Sequence, residues 1–167
     1  MLKRICMVCF LVVSLFGCSK QQEAPNYEKY EQYYRLVDEN ESFEKSSKYF
    51  TTTVEITTLP SDEYRYYVFI DEPKTAMYNC IILVRENEID FASQKNMMPT
   101  IGIFDKQYHL VPNQVNTKDG YPKGLVVSGE CDDPETVVLD ILVEWTNREG
   151  TETNREFIRY TKNGEES

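Results

Sequence analysis

The chain is poor in the residues that most enzymes use for catalysis. Among its 167 residues there is a single histidine, His109, which lies between Tyr108 and Leu110 in a short segment that reads as a strand. There is no His-Glu-x-x-His motif and no glycine-rich phosphate loop, and Ser128 lacks the first glycine of a nucleophile elbow. The 28 acidic residues offer many accidental carboxylate pairs, so they single out none for glycoside hydrolysis. We therefore expect no catalytic activity and no cofactor.

The chain also lacks an apolar run long enough to cross a bilayer. Residues 5–16 form an apolar run of 12 residues, whereas a transmembrane helix takes about 20. Lys3 and Arg4 precede this run, and Gly17 follows it directly before Cys18. A positive start, an apolar stretch of roughly 7–15 residues and a small residue at the cut are typical of a secretory signal peptide. A buried apolar helix at the N-terminus is the alternative.

Residues 1–18 resemble the signal peptide and lipobox of bacterial lipoproteins. The resemblance implies that cleavage after Gly17 makes Cys18 the new N-terminus and that a diacylglyceryl group is attached to the Cys18 thiol. Phe16 departs from the small or β-branched residue that is usual two positions before this cysteine. Because two acyl chains hold a protein firmly to a membrane, the resemblance implies a lipid-anchored protein of the bacterial cell envelope, outside the cytoplasm. It covers these 18 residues only.

Positive charge is scarce in the expected mature chain. Lys3 and Arg4 belong to the signal segment, so 16 of the 18 basic residues remain against 28 acidic ones, which gives a formal net charge of −12. Such a surface repels nucleic acid and anionic lipid head groups, so we expect no nucleic-acid partner. A basic partner is one interpretation of the acidic surface, and simple solubility is the other.

Few cysteines remain for the folded domain. Cys6 and Cys9 lie in the signal segment and Cys18 carries the lipid, which leaves Cys80 and Cys131. Disulfides persist outside the cytoplasm, and an even remainder is consistent with one bridge between these two. The alternative is that Cys80, which lies in an apolar run, is a small buried hydrophobe. Two isolated cysteines and one histidine lack zinc-ligand spacing, so no metal site is predicted.

The mature chain is predicted to be a short tether followed by one domain. Residues 18–25 comprise the lipidated cysteine and the tether, and residues 26–167 form a single β-rich domain that begins with a helix. The predicted helix covers residues 26–39, with Asn26 as its N-cap. An apolar stripe at three- and four-residue spacing runs along it, formed by Tyr27, Tyr30, Tyr34 and Val37. This stripe either packs on the domain or is exposed as a binding surface.

The rest of the domain is predicted to be strands joined by turns. Eight segments have β-branched, aromatic or alternating patterns: residues 50–56, 63–70, 75–84, 100–104, 107–111, 124–128, 136–146 and 151–160. The clearest is 136–146, where one face from Val137 to Trp145 is strongly apolar and the other is expected to be exposed in part. Short strands at this spacing favour an antiparallel β-sandwich, with an immunoglobulin-like topology as the first hypothesis. A small barrel, or a helix on one curved sheet, is the alternative.

Tyrosine is the one residue type that suggests a binding surface. Tyr67 and Phe69 lie on the opposite face of the 63–70 strand from Tyr64 and Tyr66, which makes them the better candidates for exposure. We therefore expect a lipid-anchored binding protein whose partner is a protein or a cell-wall polymer. A lipoprotein immunity factor that neutralises a secreted antibacterial toxin is the alternative function, and a hydrolase is the weakest hypothesis.

Overall fold

A computed structural model describes residues 25–162, which form one helix and seven strands. The signal segment, the lipidation of Cys18 and nearly all of the tether therefore lie outside the described residues. In the described part, no helix has the length and apolar character needed to cross a membrane. The elements in chain order are α1 (Pro25–Asp38), β1 (Thr51–Thr58), β2 (Tyr64–Asp71), β3 (Tyr78–Glu86), β4 (Thr100–Ile101), β5 (Leu125–Cys131), β6 (Val138–Thr146) and β7 (Thr153–Thr161).

The strands form two antiparallel sheets that pack face to face. One sheet has the order β1-β2-β5 and the other has the order β4-β3-β6-β7. Inward-facing side chains of both sheets meet in one core, and Trp145 is buried there as the sequence predicts. The prediction of a mainly β chain with an antiparallel sandwich and an N-terminal helix is confirmed. In immunoglobulin domains of the constant type the first, second, fourth and fifth strands share a sheet, and the third, sixth and seventh strands share the other. Here β4 instead pairs with β3 in the four-stranded sheet, and the immunoglobulin-like topology stays a prediction.

Helix α1 packs on the outer face of the four-stranded sheet. Within the described residues it runs from Pro25 to Asp38, close to the predicted range 26–39. Tyr30 and Tyr34 are fully buried against Leu83 and Leu142 of the sheet. The helix therefore converts one side of the sandwich into a third layer.

This third layer corrects the expectation that β6 has one partly exposed face. Leu142 is fully buried, and Asp140 and Glu144 on the same face are buried as well. Each charged residue is matched by an arginine on a neighbouring strand: Asp140 lies opposite Arg85 and Arg159, and Glu144 lies opposite Arg155. Opposite charges that lie directly across from each other on neighbouring strands stabilise a sheet. The charged residues on this face of β6 are therefore compatible with burial.

The predicted strand at residues 107–111 is wrong as a separate strand. This segment lies beside the start of β3 and makes an isolated bridge, in which Met77 and Leu110 exchange backbone hydrogen bonds at 2.8 Å in both directions. A further bond joins the Cys80 N–H to the Tyr108 carbonyl at 2.9 Å. The left-handed backbone of Asn79 (φ 52°) interrupts the pairing, and β3 also has a register irregularity between Tyr78 and Ile81. The β-type sequence pattern was present, but a continuous ladder does not form.

The hairpin that joins β6 to β7 agrees with the sequence prediction. Gly150 adopts a left-handed conformation (φ 70°), which the sequence predicts for the turn at residues 147–150. Its N–H donates to the Asn147 carbonyl at 3.1 Å, and the Asn147 N–H donates to the Glu152 carbonyl at 3.0 Å.

Candidate functional site

The helix tyrosines do not form an exposed binding surface. The Tyr30 hydroxyl donates to Gln94 Oε1 at 2.6 Å and accepts from the Met98 N–H at 2.8 Å, and the Tyr34 hydroxyl donates to the Ile89 carbonyl. Tyr27 is half-buried at the edge of the same cluster. The structure therefore corrects the interpretation of Tyr27, Tyr30 and Tyr34 as a binding surface. These tyrosines hold the loop of residues 87–99 against the helix.

Tyr67 and Phe69 lie on the outer face of the three-stranded sheet, which no other described element covers. Their rings stack with a centroid separation of 6.4 Å, and both side chains are half-buried while Tyr66 on the inner face is fully buried. Val126 pairs with Phe69 across β2 and β5 and is 48% exposed. We call the patch formed by Tyr67, Phe69 and Val126 the aromatic face.

Polar residues surround the aromatic face. Exposed Thr53 and Glu55 lie opposite Phe69 and Tyr67 on β1, and exposed Ser128 lies opposite Tyr67 on β5. One row further along the sheet, Arg65 and Glu130 form an ion pair at 2.7 Å. A small apolar centre within a polar rim is the usual anatomy of a protein interface.

Cys80 and Cys131 are both free thiols, and both are buried. Cys131 lies close enough to the Glu86 carboxylate, at the end of β3, for that charge to contribute to the raised pKa of its thiol. Cys80 lies six residues earlier in the same strand, which is roughly 20 Å at the rise of a strand. A disulfide needs Cα atoms within about 7 Å. The predicted bridge is therefore wrong in this structure. The alternative, that Cys80 is a small buried hydrophobe, agrees with its place in the core, where Cys131 is buried as well.

A cleft of about 770 Å³ opens at one end of the sandwich. Three separate parts of the chain form it: the start of β2, the end of β3 with the loop that follows, and the end of β5. Its walls include an apolar strip of Ile89, Met97, Met98 and Pro99. Its charged residues are Arg65, Glu86, Glu88, Asp90, Lys95, Glu130 and Asp132. The cleft is not recognisable in the sequence, because its residues are far apart in the chain.

Tyr66 lines this cleft, and its buried hydroxyl has no hydrogen-bond partner among the described residues. Tyr66 is fully buried and pairs in register with Gly129 on β5. A Cβ added at Gly129 would lie 2.3 Å from the Tyr66 hydroxyl oxygen, so only glycine leaves room for this ring. An unpaired buried hydroxyl costs about 1–3 kcal/mol. Such a cost is informative, because native structures leave few polar atoms unpaired.

Glu86 is the second unusual group of the cleft. Burial, and to a smaller extent the Asp132 carboxylate, raises the pKa of the Glu86 carboxyl to about 7. The carboxyl accepts a hydrogen bond from the Asn87 amide at 3.2 Å. The Glu86 carboxylate also contributes, after burial, to the raised pKa of the neighbouring Tyr66 hydroxyl. A perturbed carboxyl in a cleft is a mark of functional sites, although ion-pair networks also produce it.

A strained turn sets the position of Glu86 and the loop. Asn87 (φ 48°) and Glu88 (φ 53°) both adopt left-handed conformations, and the Ile89 N–H donates to the Glu86 carbonyl at 3.1 Å. Asparagine tolerates this conformation, whereas glutamate does so at a cost. Two contacts offset that cost: Asn87 Oδ1 accepts from the Val138 N–H at 2.9 Å, and Glu88 pairs with Arg159 at 2.7 Å.

His109 has a structural setting away from the cleft. Its Nδ1 accepts a hydrogen bond from the Asn79 N–H at 3.0 Å, and its ring lies between Tyr78 and Tyr121. Burial lowers the pKa of the His109 imidazole below its usual value. The neutral ring with an occupied Nδ1 supports the unusual backbone of Asn79.

The arrangement is suited to binding through charge, hydrogen bonds and apolar contact. Within residues 25–162 no group of three or more histidine, cysteine, aspartate or glutamate side chains is placed to hold a metal ion. Comparison with known proteins adds no relative, since no family model, curated protein or solved structure matches the chain.

Proposed function

We propose that the protein is a lipid-anchored binding protein of the bacterial cell envelope, without catalytic activity, and that it captures a protein partner through the aromatic face. The observation that carries the proposal is the difference between the two sheets. Helix α1 covers the outer face of the four-stranded sheet, whereas Tyr67, Phe69 and Val126 remain uncovered on the other. Tyrosine at such a place combines an apolar ring with a hydroxyl that stays in water.

The place where the chain enters the domain supports this role. The chain enters the domain at Pro25, on the helix side of the sandwich, seven residues after Cys18. Seven residues span at most about 25 Å, so a lipidated Cys18 would keep the domain close to the membrane. The aromatic face lies on the opposite side of the domain from the helix. An anchor at Cys18 would therefore leave this face free for a partner.

Site-specific photo-crosslinking in the intact envelope tests the binding role. A photoreactive amino acid replaces Phe69 or Val126 in the full-length protein, and Glu152, in the exposed turn between β6 and β7, is the matched control position. We expect adducts with one defined partner from the first two positions and none from position 152. Equal adducts at all three positions, or none at Phe69 and Val126, would contradict the proposal.

The identity of the cross-linked partner separates the functional hypotheses. A secreted antibacterial toxin in the adduct is the result that the immunity-factor hypothesis expects. A cell-wall polymer in place of a protein would show that the aromatic face binds sugar rings instead. An envelope protein would support the general binding role.

Metabolic labelling with a fatty-acid probe tests the anchor separately. Lipidation needs the Cys18 thiol, so Cys18→Ala should abolish labelling. Cys9→Ala, in the apolar part of the signal segment, is the matched control and should be labelled like the natural protein. Equal labelling of the Cys18→Ala variant would sink the lipid-anchor hypothesis while leaving the aromatic face to be judged by crosslinking.

A further inference from the structure

The cleft at the end of the sandwich adjoins the aromatic face: Arg65, Ser128 and Glu130 line the cleft and also lie beside that face. We propose that the cleft binds an organic cation, an ammonium or guanidinium group on an alkyl stem, between the Glu86 carboxylate and the Tyr66 hydroxyl. The inference goes beyond the proposed function, because it neither needs the aromatic face nor the lipid anchor. It is carried by the unpaired charges of the cleft, by the unpaired Tyr66 hydroxyl and by the apolar strip beside them.

The charge balance of the cleft favours a cation. Glu88 and Glu130 are already neutralised by Arg159 and Arg65, each at 2.7 Å. Three carboxylates of the cleft make no ion pair within residues 25–162, and they belong to Glu86, Asp90 and Asp132. Lys95 is the one basic residue of the cleft that lacks an ion pair in the same range. The excess of unpaired negative charge attracts a cation and repels an anion.

The Tyr66 hydroxyl would orient the bound cation through a hydrogen bond. A phenol oxygen can accept a hydrogen bond, so it can accept one N–H of the bound cation while the Glu86 carboxylate accepts another. An ammonium placed between them would satisfy the hydroxyl that no described protein group satisfies. Gly129 keeps the Tyr66 ring at this place, since any Cβ there would collide with it.

The apolar strip explains why the cation should carry an alkyl stem. Ile89, Met98 and Pro99 line the cleft beside the carboxylates, and Met97 is 54% exposed. Lysine and arginine side chains bury their methylene stems on such surfaces while the charged head stays with polar partners. A bare inorganic cation would leave this strip unused.

The proposal also makes binding depend on pH. A cation binds the ionised form of Glu86, whose carboxyl has a pKa of about 7 in the free protein. The groups that face Glu86 are the Tyr66 hydroxyl from β2, the Cys131 thiol and Asp132 carboxylate from the end of β5, and the Asn87 amide. The Glu86 carboxyl titrates between pH 6 and 8, whereas the Tyr66 hydroxyl and the Cys131 thiol stay protonated there, because burial raises their pKa values from already higher ones. The ionised fraction of Glu86, and with it the affinity for the cation, should therefore fall about tenfold from pH 8 to pH 6.

Calorimetric titration of the full-length protein in a non-ionic detergent tests the site. The probes are n-butylammonium, the neutral 1-butanol and the anion butyrate, all at low ionic strength. We expect binding of n-butylammonium and none of the other two. Equal signals from n-butylammonium and 1-butanol would overturn the proposal, and so would the absence of n-butylammonium binding.

Two variants with matched controls locate the bound cation. Glu86→Gln should weaken n-butylammonium binding about tenfold and remove the pH dependence, whereas Glu55→Gln, an exposed carboxyl of β1, should change neither. Tyr66→Phe should also weaken binding about tenfold without lowering the melting temperature, whereas Tyr64→Phe in the same strand should not weaken it. Natural affinity in both Glu86→Gln and Tyr66→Phe would overturn the placement of the cation between these groups.

Two further probes separate the sources of the cation. Acetyl-Gly-Lys-Gly-amide represents a lysine side chain of a protein partner, and spermidine represents a free polyamine. Tighter binding of the peptide supports a protein source, and tighter binding of spermidine supports a small-molecule source. If neither binds more tightly than 1-butanol, the cleft is not a cation site. Loss of crosslinking at the aromatic face would leave this result untouched.

Discussion

The guanidinium of Arg85 lies 2.6 Å from the carboxylate of Asp140, and the two residues are direct partners across β3 and β6. The pair is buried, with Arg85 at 5% and Asp140 at 0% exposure. On its other side Arg85 binds the Asp38 carboxylate at the end of helix α1, also at 2.6 Å. The same arginine thus joins the last residue of the helix to the sheet that the helix covers.

Removing the Asp140 carboxylate should destabilise the fold strongly. Asp140 also accepts hydrogen bonds from Arg159 at 2.6 and 3.0 Å, so Asp140→Ala leaves two guanidinium groups without their main partner. Breaking a buried pair from one side costs about 3–5 kcal/mol, because a buried charge stays uncompensated. Glu88→Ala removes a more exposed partner of Arg159 and should cost no more than about 1 kcal/mol. Urea unfolding of both variants measures the difference, and equal losses would contradict this account.

The sequence predicted β6 well but misjudged the exposure of one of its faces. Strict alternation gave the strand and its inward residues, with Trp145 in the core. Asp140 and Glu144 then made the other face look like one turned toward water. Their arginine partners are on β3 and β7, and a single strand's pattern does not show which charges will meet across a sheet. The tyrosine stripe of α1 and the buried Leu142 are two halves of one packing contact.

Truncation on both faces of β6 should be costly. Trp145→Ala should cost about 3–5 kcal/mol and Leu142→Ala about 2–5 kcal/mol, because each leaves a cavity in a different core cluster. Val126→Ala, on the uncovered aromatic face, is the control and should stay within about 0.5 kcal/mol. Chemical denaturation compares the three variants. A small loss for Leu142→Ala would mean that helix α1 does not cover this face in solution.

Cys80 and Cys131 should be counted as two free thiols in denaturant without reductant. In the native protein both should resist alkylation at pH 8, because only the thiolate reacts. Burial raises the pKa of the Cys80 thiol to about 12, and burial together with the Glu86 and Asp132 carboxylates raises that of Cys131. Cys131, which is 6% exposed against 1% for Cys80, should react first as urea is added. Mass spectrometry after alkylation counts the modified cysteines in the native and in the denatured protein. If Cys80 and Cys131 both stay unmodified in denaturant, they form a disulfide after all.

The cleft could not be predicted from sequence for a different reason. Tyr66, Glu86 and Gly129 each fit an ordinary strand pattern, and their significance arises only where three strands end together. Periodicity predicts which face a residue occupies, but not which distant residue stands beside it. A glycine at an inward position of β5 was the one local sign, since glycine within a strand often marks a close approach.

Glu86 should make the fold less stable as the pH rises. Its carboxyl has a pKa of about 7 in the folded protein, against about 4.3 in an unfolded chain. Between these values the folded state binds more protons than the unfolded state, so the free energy of unfolding falls as pH rises through this window. Glu86→Gln lacks this titration. Near pH 4 the variant and the natural protein should therefore have the same free energy of unfolding.

Above pH 7 the Glu86→Gln variant should therefore be the more stable protein, by about 1–2 kcal/mol, a value reduced for a half-exposed carboxyl that water screens. Urea unfolding of both proteins from pH 4.5 to 8 measures the difference. Glu55→Gln, an exposed carboxyl of β1, is the control, and its difference from the natural protein should not change with pH. If the difference in free energy of unfolding between Glu86→Gln and the natural protein stays constant from pH 4.5 to 8, Glu86 ionises normally in the folded protein. In that case the cleft would bind a cation without the tenfold change between pH 6 and 8.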